Sequence, residues 1–223
     1  MIVSMLTPLK DTMHAISSGL LLPAVIVLLL FIAYVVIESG GVLAEALLER
    51  RRAKVKVSEL IDAFQGKDAG ELMDEIAGSG LFRRQKEALA ELIKHGNLPA
   101  ASLQALARRL LAHEELHYNR ITNRTDLVAR LGPMLGLMAT LIPLGPGMIA
   151  LGQGDTKTLA DSLLTAFDAT VAGLAAAGVA FAISRLRKRW YEDYLSSLEA
   201  LMESILEVFA HGRGAEKSEA RGD

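Results

Sequence analysis

Residues 131–184 read LGPMLGLMATLIPLGPGMIALGQGDTKTLADSLLTAFDATVAGLAAAGVAFAIS. They form two apolar runs joined by a short polar turn. Each run is long enough for a membrane helix, since about 20 apolar residues cross a hydrocarbon core about 30 Å thick. The second run contains one carboxylate, Asp168. Ionisable side chains at membrane depth are costly and typically mark a proton or ion path.

A third apolar run, AISSGLLLPAVIVLLLFIAYVVIES, lies near the start of the chain and has no charge between Asp11 and Glu38. It is too long for the apolar core of a signal peptide, and no small-residue cleavage site follows it, so it predicts an uncleaved anchor. Hydrophobic residues make up 51% of the chain, while the charged 22% crowd into 44–130 and 185–223. The sequence therefore predicts an all-α membrane protein with three transmembrane helices and long cytoplasmic helical extensions.

The water-exposed segments show apolar residues at helical spacing, with breaks at Gly66–Gly70, Gly78–Gly80 and Gly96–Pro99. No breaker precedes Gly132–Pro133, so one helix is expected to continue into the second span. Asp155 is the predicted N-cap of the third membrane helix. The predicted segments are an outer N-terminal segment 1–18, transmembrane helix 1 at 19–39, a cytoplasmic helical domain at 40–130, transmembrane helix 2 at 131–152, an outer turn at 153–160, transmembrane helix 3 at 161–184, a cytoplasmic helix at 185–210 and a disordered tail at 211–223.

Lysine and arginine set the expected orientation, because loops rich in these residues stay in the cytoplasm. The predicted outer segments hold only Lys10 and Lys157. The other flanks are basic: Arg50, Arg51, Arg52, Lys54 and Lys56 after the first span, Arg124 and Arg130 before the second, and Arg185, Arg187, Lys188 and Arg189 after the third. The pattern predicts a multi-pass protein of the cell's inner membrane, with its N-terminus outside and its C-terminus in the cytoplasm.

Several function classes are disfavoured by the sequence. The net charge of −2 gives no argument for nucleic acid binding, and the absence of cysteine excludes disulfides and thiolate metal sites. His113–His117 reads HEELH and matches the H-E-x-x-H zinc pattern. A catalytic zinc needs a third protein ligand and an open position. Because no downstream ligand pattern follows and the surrounding helix is highly charged, we expect surface histidines, no metal, no cofactor and no enzyme.

Polar residues within the last two spans are the candidate site: Thr140, Thr165, Asp168 and Thr170. Each threonine alone could simply hydrogen-bond the carbonyl one turn back. However, Thr170 begins a stripe of small residues that would allow close helix packing. Asp168 lies about 160° from Thr170 around the helix, so the two cannot face one partner squarely. The stripe comprises Thr170, Gly173, Ala177, Ala180 and Ser184, with Gly136 as a packing residue on the second span.

Two short motifs resemble the MotA/TolQ/ExbB proton-channel family. The segment Leu135–Thr140, LGLMAT, resembles the LGLxGT of that family's second helix, and Ala169–Leu174, ATVAGL, resembles ATxxGL in its third. The three-span layout is closer to TolQ and ExbB than to four-span MotA. Together, motifs and layout identify the chain as a member of this family.

The resemblance implies a homopentamer in the lipid bilayer, around a central pore that receives a dimer of a one-span ExbD-, TolR- or MotB-like partner. The partner brings a proton-carrying aspartate, and Thr140 and Thr170 match pore-facing threonines of the family. The implied function is a proton-conducting stator or motor subunit that converts ion-motive force into mechanical work. Thr140, Thr170, Thr165 and Asp168 would line the path, and Asp168 would be a relay or a structural acid.

The sequence departs from the family pattern at several positions. Ala139 replaces the usual glycine before the threonine, and Thr165 stands where TolQ and ExbB carry a glutamate, so the acid is displaced to Asp168. These changes predict a divergent branch. The alternative is a non-conducting membrane scaffold that recruits partners through its cytoplasmic helices, with threonines and small residues serving packing alone. A membrane zinc protease is a third, less favoured reading.

Overall fold

The computed structural model describes residues 2–49 and 57–219, and these are helical with short turns. The helices are α1 (Ile2–Ala44), a π-helical turn (Glu45–Glu49), α2 (Val57–Phe64), α3 (Ala69–Gly78), α4 (Arg83–Lys94), α5 (Ala100–Gly152) and α6 (Thr156–Glu219). The all-α prediction is confirmed. The turns around α3 and α4 coincide with the predicted glycine and proline breaks. The basic run at 50–56, predicted to be helical, lies outside the described residues.

Among the described residues, three helices are long and apolar enough to cross a membrane. They lie within Ala15–Leu47, Ala100–Gly152 and Thr156–Gly212. The expectation that one helix continues into the second span is confirmed by α5, which runs without interruption through Pro133, Pro143 and Pro146. Each proline removes one backbone donor, and such losses are tolerated in membrane helices where neighbouring groups satisfy the freed carbonyl.

Element ends differ from the predicted boundaries at two places. The turn between the last two spans is shorter than 153–160, because α5 ends at Gly152 and α6 begins at Thr156. Asp155 caps α6 as predicted: its carboxylate accepts from the Thr158 backbone N–H at 3.0 Å and from the Thr158 hydroxyl at 2.5 Å. These hydrogen bonds lower the pKa of Asp155. The helix α6 ends at Glu219, within the segment 211–223 for which the sequence predicts a disordered tail.

The chain divides into two compact units. The membrane unit comprises the residues up to Val42 together with Thr122–Leu186. Residues 122–130 are therefore part of the membrane unit, although the sequence places them in the predicted cytoplasmic domain. In this unit α1, α5 and α6 pack through Val35, Val128 and Ala180, which are buried together.

The second unit comprises Leu43–Ile121 and the chain from Arg187 onward. Its core is built from leucines and isoleucines of α2, α3, α4, α5 and α6, among them the fully buried Leu89, Leu103 and Leu201. The helix α3 begins with a capping box, in which Asp68 accepts from the Glu71 N–H and Glu71 accepts from the Asp68 N–H. This unit thus has a conventional hydrophobic core of its own.

Candidate functional site

Helices α5 and α6 approach so closely that their backbones touch. A methyl group added at Gly173 would lie 2.8 Å from the Gly132 carbonyl oxygen and 3.1 Å from the Gly136 Cα. Along the same side of α6, Ala177 and Ala180 are buried. Small residues allow helices to pack at short distance where lipid provides no hydrophobic drive for association. This close contact brings the polar groups of the two helices within hydrogen-bonding range.

Thr140 of α5 and Thr170 of α6 meet in this contact, and their hydroxyl groups are hydrogen-bonded to each other. The Thr140 hydroxyl also lies 2.8 Å from the Gly136 carbonyl oxygen and 3.2 Å from that of Ala166. A hydroxyl has one proton, so Thr140 donates to one of these acceptors at a time. The pair therefore forms a rearrangeable hydrogen-bond network, half-buried within the hairpin.

Thr165 and Asp168 lie elsewhere on α6. Both are exposed on the single chain, and the Thr165 hydroxyl donates to the Asp161 carbonyl at 3.0 Å. Asp161, Thr165 and Asp168 follow an i, i+4, i+7 pattern, which places them on one face of the helix. We call this face the acidic face. The structure thus brings two of the four predicted path residues together and places the other two on a separate surface.

A second polar contact joins α5 and α6 at the end of the hairpin opposite to the 153–155 turn. The sequence analysis did not identify it as a site. The Ser184 hydroxyl donates to the Asp126 carboxylate. Ser184 is 1% exposed, and Thr122 and Thr125 nearby on α5 are equally buried. The spacing along the two helices could have predicted this contact. Asp126 precedes Thr140 by 14 residues, and Ser184 follows Thr170 by 14, so the two pairs lie at matching positions on two antiparallel helices.

Residues 71–200 match the sequence model of the MotA/TolQ/ExbB proton channel family. The matched region is more than half of the chain and contains both the Thr140–Thr170 contact and the Asp126–Ser184 contact. The chain belongs to this family. No curated protein sequence gives a significant match to the chain.

Membership in the MotA/TolQ/ExbB family gives the chain a general role in ion conduction or energy transduction across a membrane. The family is a class of channels and not of enzymes, and its members act in membrane complexes. With three candidate spans, the chain is a multi-pass membrane protein. The hairpin of α5 and α6, with its hydroxyl pair, is the candidate functional site.

The HEELH sequence of this MotA/TolQ/ExbB member has a structural explanation. Glu114 is buried, and the Arg84 guanidinium donates to both of its carboxylate oxygens, at 2.8 and 2.9 Å. The paired carboxylate raises the pKa of Arg84. His113 keeps 75% of its side chain exposed. Among the described residues, no group of three or more His, Cys, Asp or Glu side chains is placed to hold a metal. The helix is thus less solvated than its charge suggested, because Glu114 anchors α4 to α5.

Proposed function

We propose that this chain is the proton-conducting subunit of a membrane motor complex. Together with a dimer of a one-span ExbD-, TolR- or MotB-like protein carrying an aspartate, it converts ion-motive force into mechanical work. The observation that carries this proposal is the Thr140–Thr170 hydroxyl pair, held inside a hairpin of two candidate spans in a proton channel family member. Each proton crossing the membrane supplies roughly 2.3 kcal/mol per 100 mV.

The acidic face supports an assembly of several copies, which we propose is a homopentamer. Asp168 is exposed on the single chain, beside large apolar side chains such as Phe167 and Val171. A charged aspartate facing hydrocarbon costs roughly 2.5–3.5 kcal/mol at the membrane centre. The cost disappears if this face meets water or polar groups in the middle of a ring. We therefore assign Thr165 and Asp168 to the pore face, and the threonine pair to the adjoining hairpin interior.

The proposed orientation follows the distribution of Lys and Arg. The complex lies in the inner membrane with the N-terminus outside and the C-terminus in the cytoplasm. The proposed spans are 19–39, 131–152 and 161–184, and the second unit is then cytoplasmic. In this orientation Asp155 lies at the outer end of the hairpin, while Asp126 and Ser184 lie at its inner end.

The test replaces Thr170 by valine, which keeps the shape of threonine and removes its hydroxyl. The complex with a one-span ExbD-, TolR- or MotB-like partner is reconstituted into liposomes containing a pH-sensitive dye. A membrane potential then drives proton uptake. We expect Thr170→Val to reduce uptake by roughly tenfold or more, because the hydroxyl network is broken. Thr170→Ser is the matched control and keeps the rate within about twofold, since it retains the hydroxyl. Uptake that is unchanged in Thr170→Val would remove this residue from the path.

A second candidate function is a non-conducting scaffold that recruits partners through the second unit. One observation favours it: the Thr140 hydroxyl lies 2.8 Å from the carbonyl one turn back, as a threonine serving packing alone would. The same liposomes separate the two candidates. If the unmodified complex takes up no more protons than empty liposomes, proton conduction is wrong and the scaffold remains.

A further inference from the structure

The contact between Asp126 and Ser184 is separate from the Thr140–Thr170 pair of the proposed path. Among the described residues of the membrane unit, the buried polar side chains are Thr122, Thr125 and Ser184, all at the same end. Burying a hydroxyl is unfavourable unless it is hydrogen-bonded. The Thr125 hydroxyl donates to the Thr122 carbonyl at 3.1 Å, whereas that of Ser184 donates to an ionisable group. This end of the unit therefore contains a carboxylate set in a polar cluster.

The two polar contacts of the hairpin share one register. The two contacts are separated by 14 residues on each helix, which is two heptads. Residues two heptads apart lie on the same side of a helix that packs against another. At 1.5 Å per residue, the separation corresponds to about 21 Å along α5. Between the two levels, the contact is made by Gly132, Gly136, Gly173 and Ala177, none of which can carry a proton. The hairpin thus has a hydroxyl pair at one level and a carboxylate–hydroxyl pair at the other.

We propose that Asp126 is a proton-exchange residue at the cytoplasmic end of the path. The inference rests on the proposed function. A proton that reaches the inner end of the proposed path binds the Asp126 carboxylate, giving the neutral acid. The acid then releases that proton to cytoplasmic water and becomes a carboxylate again. Ser184 keeps its own proton and positions the carboxylate by donating to it.

The surroundings of Asp126 suit such an exchange. Asp126 is half-buried and accepts a hydrogen bond from Ser184. Of the basic residues close to this contact in the sequence, Arg124 and Arg130 on α5 and Arg185 on α6 are exposed. Arg187 on α6 is buried, and its Nε lies 3.6 Å from the Glu45 carboxylate. The helix α1, which packs at this end through Val35, carries the half-buried Glu38 three residues further along.

Two substitutions of Asp126 separate proton exchange from packing. Asp126→Asn keeps the size of the side chain and an oxygen that accepts from Ser184, but it cannot carry a proton at neutral pH. Asp126→Glu keeps the titratable group and lengthens the side chain. We expect Asn to reduce proton uptake into liposomes by roughly tenfold or more and Glu to retain most of it. A packing role predicts the reverse order. The matched control is Asp193→Asn, because Asp193 is exposed on α6 and Ser197 donates to its backbone carbonyl.

A chemical rescue gives a second readout. Asp126→Ala opens space at the carboxylate position, and added formate, a small weak acid, should restore at least part of the uptake. Because neutral formic acid crosses bilayers by itself, rescue means uptake above that of empty liposomes given the same formate. Rescue of this kind would not follow from a packing role. Normal uptake in Asp126→Asn, or an Asp126→Ala complex that assembles and is insensitive to formate, would overturn the proposal. If the unmodified complex fails to take up protons, the proposed function fails first, so the two failures are distinguishable.

Discussion

At the scale of single residues, the position of a charged side chain in the helix sequence does not reveal its partner. The HEELH pattern predicted two histidines and a glutamate on a solvated surface. Glu114 is instead buried against Arg84, which lies 30 residues earlier on α4. No local spacing indicates this pair, because it depends on how α4 folds back onto α5. The N-cap at Asp155 was predictable, since capping involves only the next three residues.

The Arg84–Glu114 pair allows a prediction with a neighbouring control. Glu114→Gln removes the charge and one of the two strong hydrogen bonds. We expect the free energy of unfolding to fall by about 1–2 kcal/mol, because Arg84 keeps part of its side chain in water and screens the pair. Glu115→Gln should leave it unchanged, since Glu115 is exposed. Thermal unfolding of the purified protein measures both. Equal stability of the two variants would contradict the anchoring role of Glu114.

At the scale of the helices, the sequence predicted which segments are helical but not how they meet. Periodicity placed Thr170, Gly173 and Ala177 on one stripe of α6. It left open whether that stripe faces α5, α1 or another subunit, because small residues suit all three. The structure places it against α5, with Gly173 touching the backbone of Gly132 and Gly136. Asp168 consequently points away from α5. The angle of about 160° between Asp168 and Thr170 is compatible with this orientation but does not by itself determine it.

Two glycines of α6 test this contact directly. Gly173→Ala places a methyl group 2.8 Å from a carbonyl oxygen of α5, and backbone cannot move aside as a flexible side chain could. We expect a loss of about 1–3 kcal/mol in stability, typical of overpacking, together with reduced proton uptake because the threonine pair is separated. Gly178→Ala adds the same methyl group where nothing lies within 4 Å, and should be neutral or slightly stabilising. Thermal unfolding in nanodiscs compares the two, and similar values would refute the close contact.

At the scale of the whole molecule, the single chain leaves a polar surface that its own helices do not cover. The motifs at 135–140 and 169–174 were sufficient to predict the family. The number of copies and the identity of the partner depend on surfaces that meet only in the complex, so they remain proposals. The acidic face is the part of the described chain that bears most directly on them, because its side chains are exposed within a candidate span.

The chain contains no cysteine, so single cysteines can report which surface of α6 reaches water in the assembled complex. Thr165 and Leu164 are adjacent, and both are exposed on the single chain. If the acidic face lines a hydrated axis, Thr165→Cys should react with a membrane-impermeant maleimide. Leu164→Cys, turned by about 100° around the helix, should be protected by lipid or by a neighbouring copy. Both should react alike once the complex is denatured, which controls for intrinsic reactivity. Protection of Thr165→Cys together with labelling of Leu164→Cys would show that the acidic face does not line the pore, and that the face of α6 containing Leu164 does.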